Sequence, residues 1–260
     1  MSRSDPGDAL LAERVDDVLV LTINRPHRRN AIDLPTAEAL ALALDELDET
    51  PGLRAGVLTG AGGFFSAGMD LKAFAETGER PITASRGGLG IVRRPPVKPI
   101  VAAVDGHVLG GGFEIALACD LIVAGTGARF AVPEVKRGLV AAGGGAIRLA
   151  QRLPHHLALE LLLLGEALPA SRALELGLVN RVVPSDRVRD TAVGLALAIA
   201  RNAPLAVAAT KHIVEATRTL GFDIAYELQE QILAPVRASR DAQEGARAFA
   251  EKREPAWEGR

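Results

Sequence analysis

Two glutamates stand directly behind turn-forming residues. Glu114 follows Gly110-Gly-Gly-Phe113, and Glu134 follows Pro133. Two carboxylates brought to one site can divide a reaction, one taking a proton from water while the other gives a proton to carbon. A third turn upstream reads Gly60-Ala-Gly-Gly-Phe-Phe-Ser-Ala-Gly-Met-Asp-Leu71. Small residues in such turns leave backbone N–H groups bare, and bare N–H groups can hold a developing negative oxygen. The combination points to acid–base chemistry on a polarised carbonyl compound, with no metal and no redox cofactor. Taken singly, each part has an ordinary reading. Glu114 could compensate a helix dipole, Glu134 could be a solvated loop acid, and 60–71 could be a tight turn without a ligand.

Other chemistries fit less well. The glycines of 60–71 lack the Gly-Lys-Ser/Thr of a phosphate loop and the spacing of the dinucleotide fingerprint. Ser66 has Phe64 where the nucleophile elbow needs glycine. The histidines, at 27, 107, 155, 156 and 212, have no metal-ligand spacing to a partner. The single cysteine, Cys119, excludes an internal disulfide and a cysteine-cluster zinc site.

Elements that position these residues can be read around them. Val18–Ile23 reads as a strand closed at Asn24-Arg25-Pro26, 35–48 as a helix with Pro35 in its first turn, and 55–59 as a buried strand running into the Gly60 loop. Residues 99–104 form another strand, and Gly110–Gly112 opens an alanine-rich helix that ends near Cys119. Strands follow at 121–124 and 129–132, and the glycine run 143–145 reads as another helix start. Strands alternating with helices mean an α/β core with largely parallel pairing. The segment 77–97 is polar and broken by glycine and proline, which predicts a mobile loop beside a site or a surface excursion. After about residue 185 strand signals vanish, and helices are predicted at 186–201, 204–218, 222–233 and 239–252. The division is therefore a core over 1–185 and a helical region over 186–260.

The bulk numbers are those of an ordinary globular protein. The 260 residues are 48% hydrophobic and 24% charged, with a formal net charge of −2, which argues against non-specific nucleic-acid or membrane binding. The start, Met1-Ser-Arg-Ser-Asp-Pro-Gly-Asp8, carries acids and helix breakers where a signal peptide needs an apolar run, so the expected compartment is the cytoplasm.

Several motifs in order resemble the crotonase superfamily: Phe65-Ser-Ala-Gly-Met-Asp-Leu71, Asp105-Gly-His-Val-Leu-Gly-Gly-Gly-Phe-Glu114, Pro133-Glu134, Ala173 through Val183, and Ala248-Phe-Ala-Glu-Lys-Arg253. The resemblance implies a spiral of ββα turns followed by helices that build trimers or hexamers as dimers of trimers. It implies acyl-CoA thioester substrates, with coenzyme A entering as part of the substrate and no separate cofactor. By position, Ala67 and Gly111 are the two oxyanion donors. Ala67, Gly68, Met69 and Asp70 line the CoA path, together with Arg25 and Lys72. Lys252 is a further candidate for a CoA phosphate. Glu114 and Glu134 fall on the two catalytic glutamates of enoyl-CoA hydratases. The activity implied is reversible hydration of a 2-trans-enoyl-CoA. The alternatives are an enoyl-CoA isomerase or other thioester chemistry, and a non-catalytic acyl-CoA-binding module. One departure stands out: the hydratases' Pro-Gly-Ala-Gly-Gly is replaced here by Val140-Ala-Ala-Gly-Gly-Gly145, beside the expected water site.

Overall fold

A computed structural model describes residues 8–260; the reading of the N-terminal stretch 1–7 lies outside the described residues. The chain opens with a hairpin, β1 (Leu10–Val15) and β2 (Val18–Ile23), then α1 (Leu34–Glu49) and β3 (Ala55–Gly60). Next come α2 (Leu71–Thr77), the short pair β4 (Ile82–Thr83) and β5 (Gly87–Gly88), β6 (Ile100–Val104), β7 (His107–Leu109) and α3 (Gly111–Ala118). They are followed by β8 (Leu121–Gly125), β9 (Arg129–Ala131), a 3-10 turn over Pro133–Arg137, α4 (Gly145–Arg152) and α5 (His155–Leu164). The core closes with β10 (Leu168–Pro169), α6 (Ala170–Glu175) and β11 (Arg181–Val183), and the chain ends in α7 (Val188–Ala200), α8 (Pro204–Thr217), α9 (Phe222–Arg237) and α10 (Arg240–Glu251).

Six strands form the main sheet in the order β1-β2-β3-β6-β8-β11, and every pair except β1–β2 is parallel. A smaller sheet, β10-β9-β7, stands beside it. Each of the turns β6-β7-α3 and β8-β9-α4 sends one strand to the large sheet and one to the small sheet before its helix. This is the ββα spiral that the motifs imply. Strand β1 was not legible in Leu-Leu-Ala-Glu-Arg-Val, which has a single β-branched residue at its end.

Alternation along the strands buries both faces of the large sheet. Leu19, Leu21, Leu58, Ala102 and Val104 face the core shared with α1 and α3. Val18, Val20, Val57, Val101 and Val123 face the other way, onto Val188, Ala192, Ala196 and Ala200. Those four residues recur every four positions and form one stripe of α7, and their small size lets the helix lie close to the sheet. The helix expected at 186–201 thus packs on the sheet of the core. By contrast α8 and α9 contain no buried residue. Helix α9 also runs on to Arg237 through Pro235, beyond the end expected at 233.

The segment 77–97 is not a free excursion. Arg86, 1% exposed, sits between two carboxylates of α1, Asp45 at 2.7 Å and Asp48 at 2.8 Å. Its Nη1 also donates to the carbonyl of Arg94 at 3.1 Å, so one guanidinium closes the loop and ties it to α1. A buried charge is tolerated only with such pairing.

Candidate active site

The segment after β3 is wedged between two others. On one side the Ile32 N–H donates to the Gly68 carbonyl and the Asp70 N–H to the Ile32 carbonyl, both at 2.8 Å; on the other the Leu109 N–H donates to the Ser66 carbonyl at 3.0 Å. Buried Ser66 adds its hydroxyl, which donates to the Asn30 carbonyl at 2.7 Å and accepts from the Gly68 N–H at 3.1 Å. Asn30 in turn holds the preceding turn, its Nδ2 donating to the carbonyls of Ala61 and Phe64 at 2.8 and 2.7 Å. Neither Asn30 nor Ser66 was singled out from the sequence as part of the scaffold. The signal for Asn30 was its type, since asparagine tolerates the left-handed backbone it adopts here at φ 53°.

This pairing corrects one sequence-based assignment. The Ala67 N–H already donates to the Arg29 carbonyl at 3.0 Å, so it is not a free oxyanion donor. Gly68, at φ 86°, turns the chain. Because Gly68 C=O and Asp70 N–H both point at Ile32, the Met69 N–H between them points the other way. It has no acceptor among the described residues, and neither has the N–H of Gly111 in the first turn of α3. A methyl group built on Gly68 would lie 2.6 Å from the Gly111 nitrogen, and one built on Gly111 would lie 3.4 Å from the Met69 nitrogen. The two free amides therefore lie close together, at a spot where only bare backbone leaves room. Leu89 lies against the same spot, its Cδ1 2.7 Å from a methyl on Gly111.

One turn into α3, Glu114 is 4% exposed. The Gly145 N–H donates to its Oε1 at 2.8 Å. Burial pushes its carboxyl above the ordinary glutamate range, and the negative charge of Glu134 adds to that rise. The N–H groups of Gly145 and Gly143 and the positive charge of Arg148 work in the opposite sense. Glu134 lies at the start of the 3-10 turn, with Oε1 3.1 Å from a methyl placed on Gly110. It is raised as well, chiefly by burial, against its own backbone N–H and Arg137. Its buried Oε2 has no hydrogen-bond partner. A buried polar atom without a partner is costly, and its charge is near enough to raise the Glu114 carboxyl. Two carboxyls of raised proton affinity, beside two free amides, can hold one proton and one charge between them.

The remaining candidates fall outside this constellation. Arg25 is engaged with Asp33 at 2.7 Å and Asp70 at 3.2 Å, and also donates to the Ala31 carbonyl. Asp70 caps α2 by accepting from the Ala73 N–H at 3.0 Å. Burial would raise the Asp70 carboxyl, but the Ala73 N–H and Arg25 outweigh it and hold it below the ordinary range. Arg25 and Asp70 therefore brace the 65–71 segment. Lys72 and Lys252 are exposed, on α2 and at the end of α10. His107 stacks on Phe64, with ring centroids 5.9 Å apart. Burial pushes the Cys119 thiol up to about 12, which leaves it inert as a nucleophile. A cavity of about 580 Å³ lies at the far end of α3, between Arg148 and Arg152 of α4 and residues of α8 and α9, and takes in neither glutamate.

A ββα spiral followed by a helical C-terminal region is the architecture of the crotonase fold. Residues 13–260 match the Enoyl-CoA hydratase/isomerase family, and the chain belongs to that family. It is 43% identical over 252 residues to a carnitinyl-CoA dehydratase of Proteus mirabilis, covering 94% of this chain and 95% of that one. It is 40% identical to an enoyl-CoA hydratase of Mycobacterium tuberculosis across 100% of both chains. A crystal structure of enoyl-CoA hydratase from Mycobacterium tuberculosis superposes with a TM-score of 0.94 at 51% identity, covering 97% of this chain and 99% of that one.

Proposed function

We propose that the protein catalyses the reversible addition of water to a 2-trans-enoyl-CoA, giving a 3-hydroxyacyl-CoA. The observation that carries this reading is the placement of two desolvated carboxyls, Glu114 and Glu134, beside the free amides of Met69 and Gly111. Those amides would polarise the thioester carbonyl and hold the enolate-like oxygen; one such donor is worth about 2.7–4 kcal/mol. One carboxylate would deprotonate water for attack at C3 while the other, protonated, delivers a proton to C2. The two titrate as a pair, so the roles belong to the pair.

The relatives support water chemistry. One carries the name hydratase and another dehydratase, the same step run in opposite directions. An isomerase would need a single carboxylate to shuttle a proton, and would convert a 3-enoyl-CoA to the conjugated thioester without taking up water. Ala141 and Ala142, in place of the proline and glycine of many hydratases, adjoin the Glu114 cradle and bear on acyl shape. Crotonyl-CoA and carnitinyl-CoA are therefore the first pair of substrates to compare. Lys72 and Lys252 are the proposed contacts for CoA phosphates. The same reading extends to assembly: the unburied faces of α8 and α9 would pack in a trimer.

The test is the loss of conjugated enoyl-thioester absorbance. Glu114→Gln and Glu134→Gln should each lower kcat by about 10²–10⁴-fold and leave acyl-CoA binding in place. Parent-like turnover in both variants would refute the mechanism.

A further inference from the structure

We propose that Arg148 is a positioning residue for Glu114: it clamps the glycine run that offers N–H groups to that carboxylate, and it ties the run to the loop secured by Arg86. The inference rests on the acid–base reading of Glu114. Its basis is a three-layer arrangement. The carboxylate of Glu114 lies on one side of Gly143-Gly-Gly145 and the guanidinium of Arg148 on the other. Methyl groups built on Gly143 and Gly145 would stand 2.5 Å and 2.9 Å from the Glu114 oxygens, and one on Gly144 would stand 2.3 Å from Arg148 Nη1. Three bare residues in succession thus hold opposite charges on either face.

Arg148 is half-buried, yet it forms no ion pair with a carboxylate among the described residues. It donates instead to two carbonyls, Gly143 at 3.3 Å through Nη1 and Val92 at 2.7 Å through Nη2. The first bond holds the 143–144 peptide, one residue before the 144–145 peptide whose N–H reaches Glu114 and whose carbonyl accepts from the Arg148 backbone N–H at 2.9 Å. The second joins α4 to the loop of 86–94, whose Leu89 lies against Gly111. A lysine at this position keeps the charge but lacks the fork that spans both carbonyls.

The charged surroundings are mixed. Arg148 faces Glu215 and Arg218 from α8 and its end, Glu114 from α3 and Arg152 from its own helix, with the neutral Cys119 thiol just past α3. Glu114 faces Glu134 as well as Arg148. A neutral side chain at 148 removes a positive charge from behind the cradle and frees the Gly143 carbonyl at its start.

Two readouts test this. In steady-state hydration, Arg148→Met should lower kcat by about 10–100-fold, the scale of a misplaced catalytic group, with KM changed less than kcat. The limb of the pH profile in which the coupled pair takes up its proton should move to higher pH. Arg148→Lys should return that limb toward the parent position while recovering only part of kcat. The second readout does not depend on turnover: the Glu114 carboxyl titration by 13C NMR, its signal assigned by its loss in Glu114→Gln. It should move upward in Arg148→Met and much less in Arg148→Lys. A parent that hydrates no enoyl-CoA but shows this NMR shift would overturn the reaction and keep the positioning role. A Glu114 titration identical in parent and Arg148→Met, with only the melting temperature lowered, would overturn the positioning role.

Discussion

Glu114 and Glu134 could be picked out in the sequence because glycine and proline mark the turns around them, and turn chemistry is local. The identity of the free amides is not local. Ala67 and Met69 lie two residues apart on a stretch of small side chains, and only the pairing with Arg29 and Ile32 decides which N–H is used. Gly68→Ala tests that geometry. Its methyl would fall 2.6 Å from the Gly111 nitrogen at a positive φ, so kcat/KM should drop by at least about 100-fold, the scale of a lost oxyanion donor, in a protein that still folds. Glu134 gives a second prediction at this scale. Its folded carboxyl is held above the unfolded value, so the folded state binds the proton more tightly. Its charge therefore opposes folding increasingly as pH rises from the unfolded value through the raised folded one. Glu134→Gln should melt higher than the parent at neutral pH, by about 2–4 °C for each 1 kcal/mol gained. The gain should disappear below about pH 4, where the glutamate is protonated in both states. A variant that melts lower at neutral pH would contradict the desolvated setting given to this side chain.

Helices with strong apolar periodicity, such as α1 and α10, were legible to within a residue or two of their ends. One element was left open and another was misjudged. The apolar stripe of α7 calls for the core or another subunit to cover it, and Val57, Val101 and Val123 form the surface it fills. The 77–97 loop reads as mobile because arginine in a polar stretch usually stays in water; its two acids are on α1, about 40 residues away in sequence. Arg86→Met should lower stability by about 3–5 kcal/mol, the range for breaking a buried ion pair. It should also open the 80–94 loop to limited proteolysis before the rest of the chain. Urea unfolding and the position of the first cleavage check both, and cleavage elsewhere first would remove the anchor role.

At the scale of the molecule, the sequence pattern carried the α/β class, and the ordered motifs carried the spiral. The six-strand order was not legible, because adjacent parallel strands here come from distant segments. No single helix among the described residues is long and apolar enough to cross a membrane. One open face is on α9, where Phe222 and Tyr226 are 79% and 52% exposed with ring centroids 6.0 Å apart. A patch of that kind marks an interaction surface. Sedimentation should give a multiple of the 27.2 kDa chain mass, three-fold at least, and Phe222→Glu with Tyr226→Glu should shift it toward the single chain. A parent that sediments as one chain would dismiss the trimer.

The claim at the centre is that two acids handle one water beside two free amides, and labelled solvent tests it most directly. Crotonyl-CoA turned over in heavy water enriched in oxygen-18 should yield a 3-hydroxy thioester with solvent oxygen at C3 and one deuterium at C2. Both labels should appear at equal rates, and both should be lost together in Glu114→Gln and in Glu134→Gln. Deuterium entering without oxygen, or either variant keeping both labels at the parent rate, would contradict it.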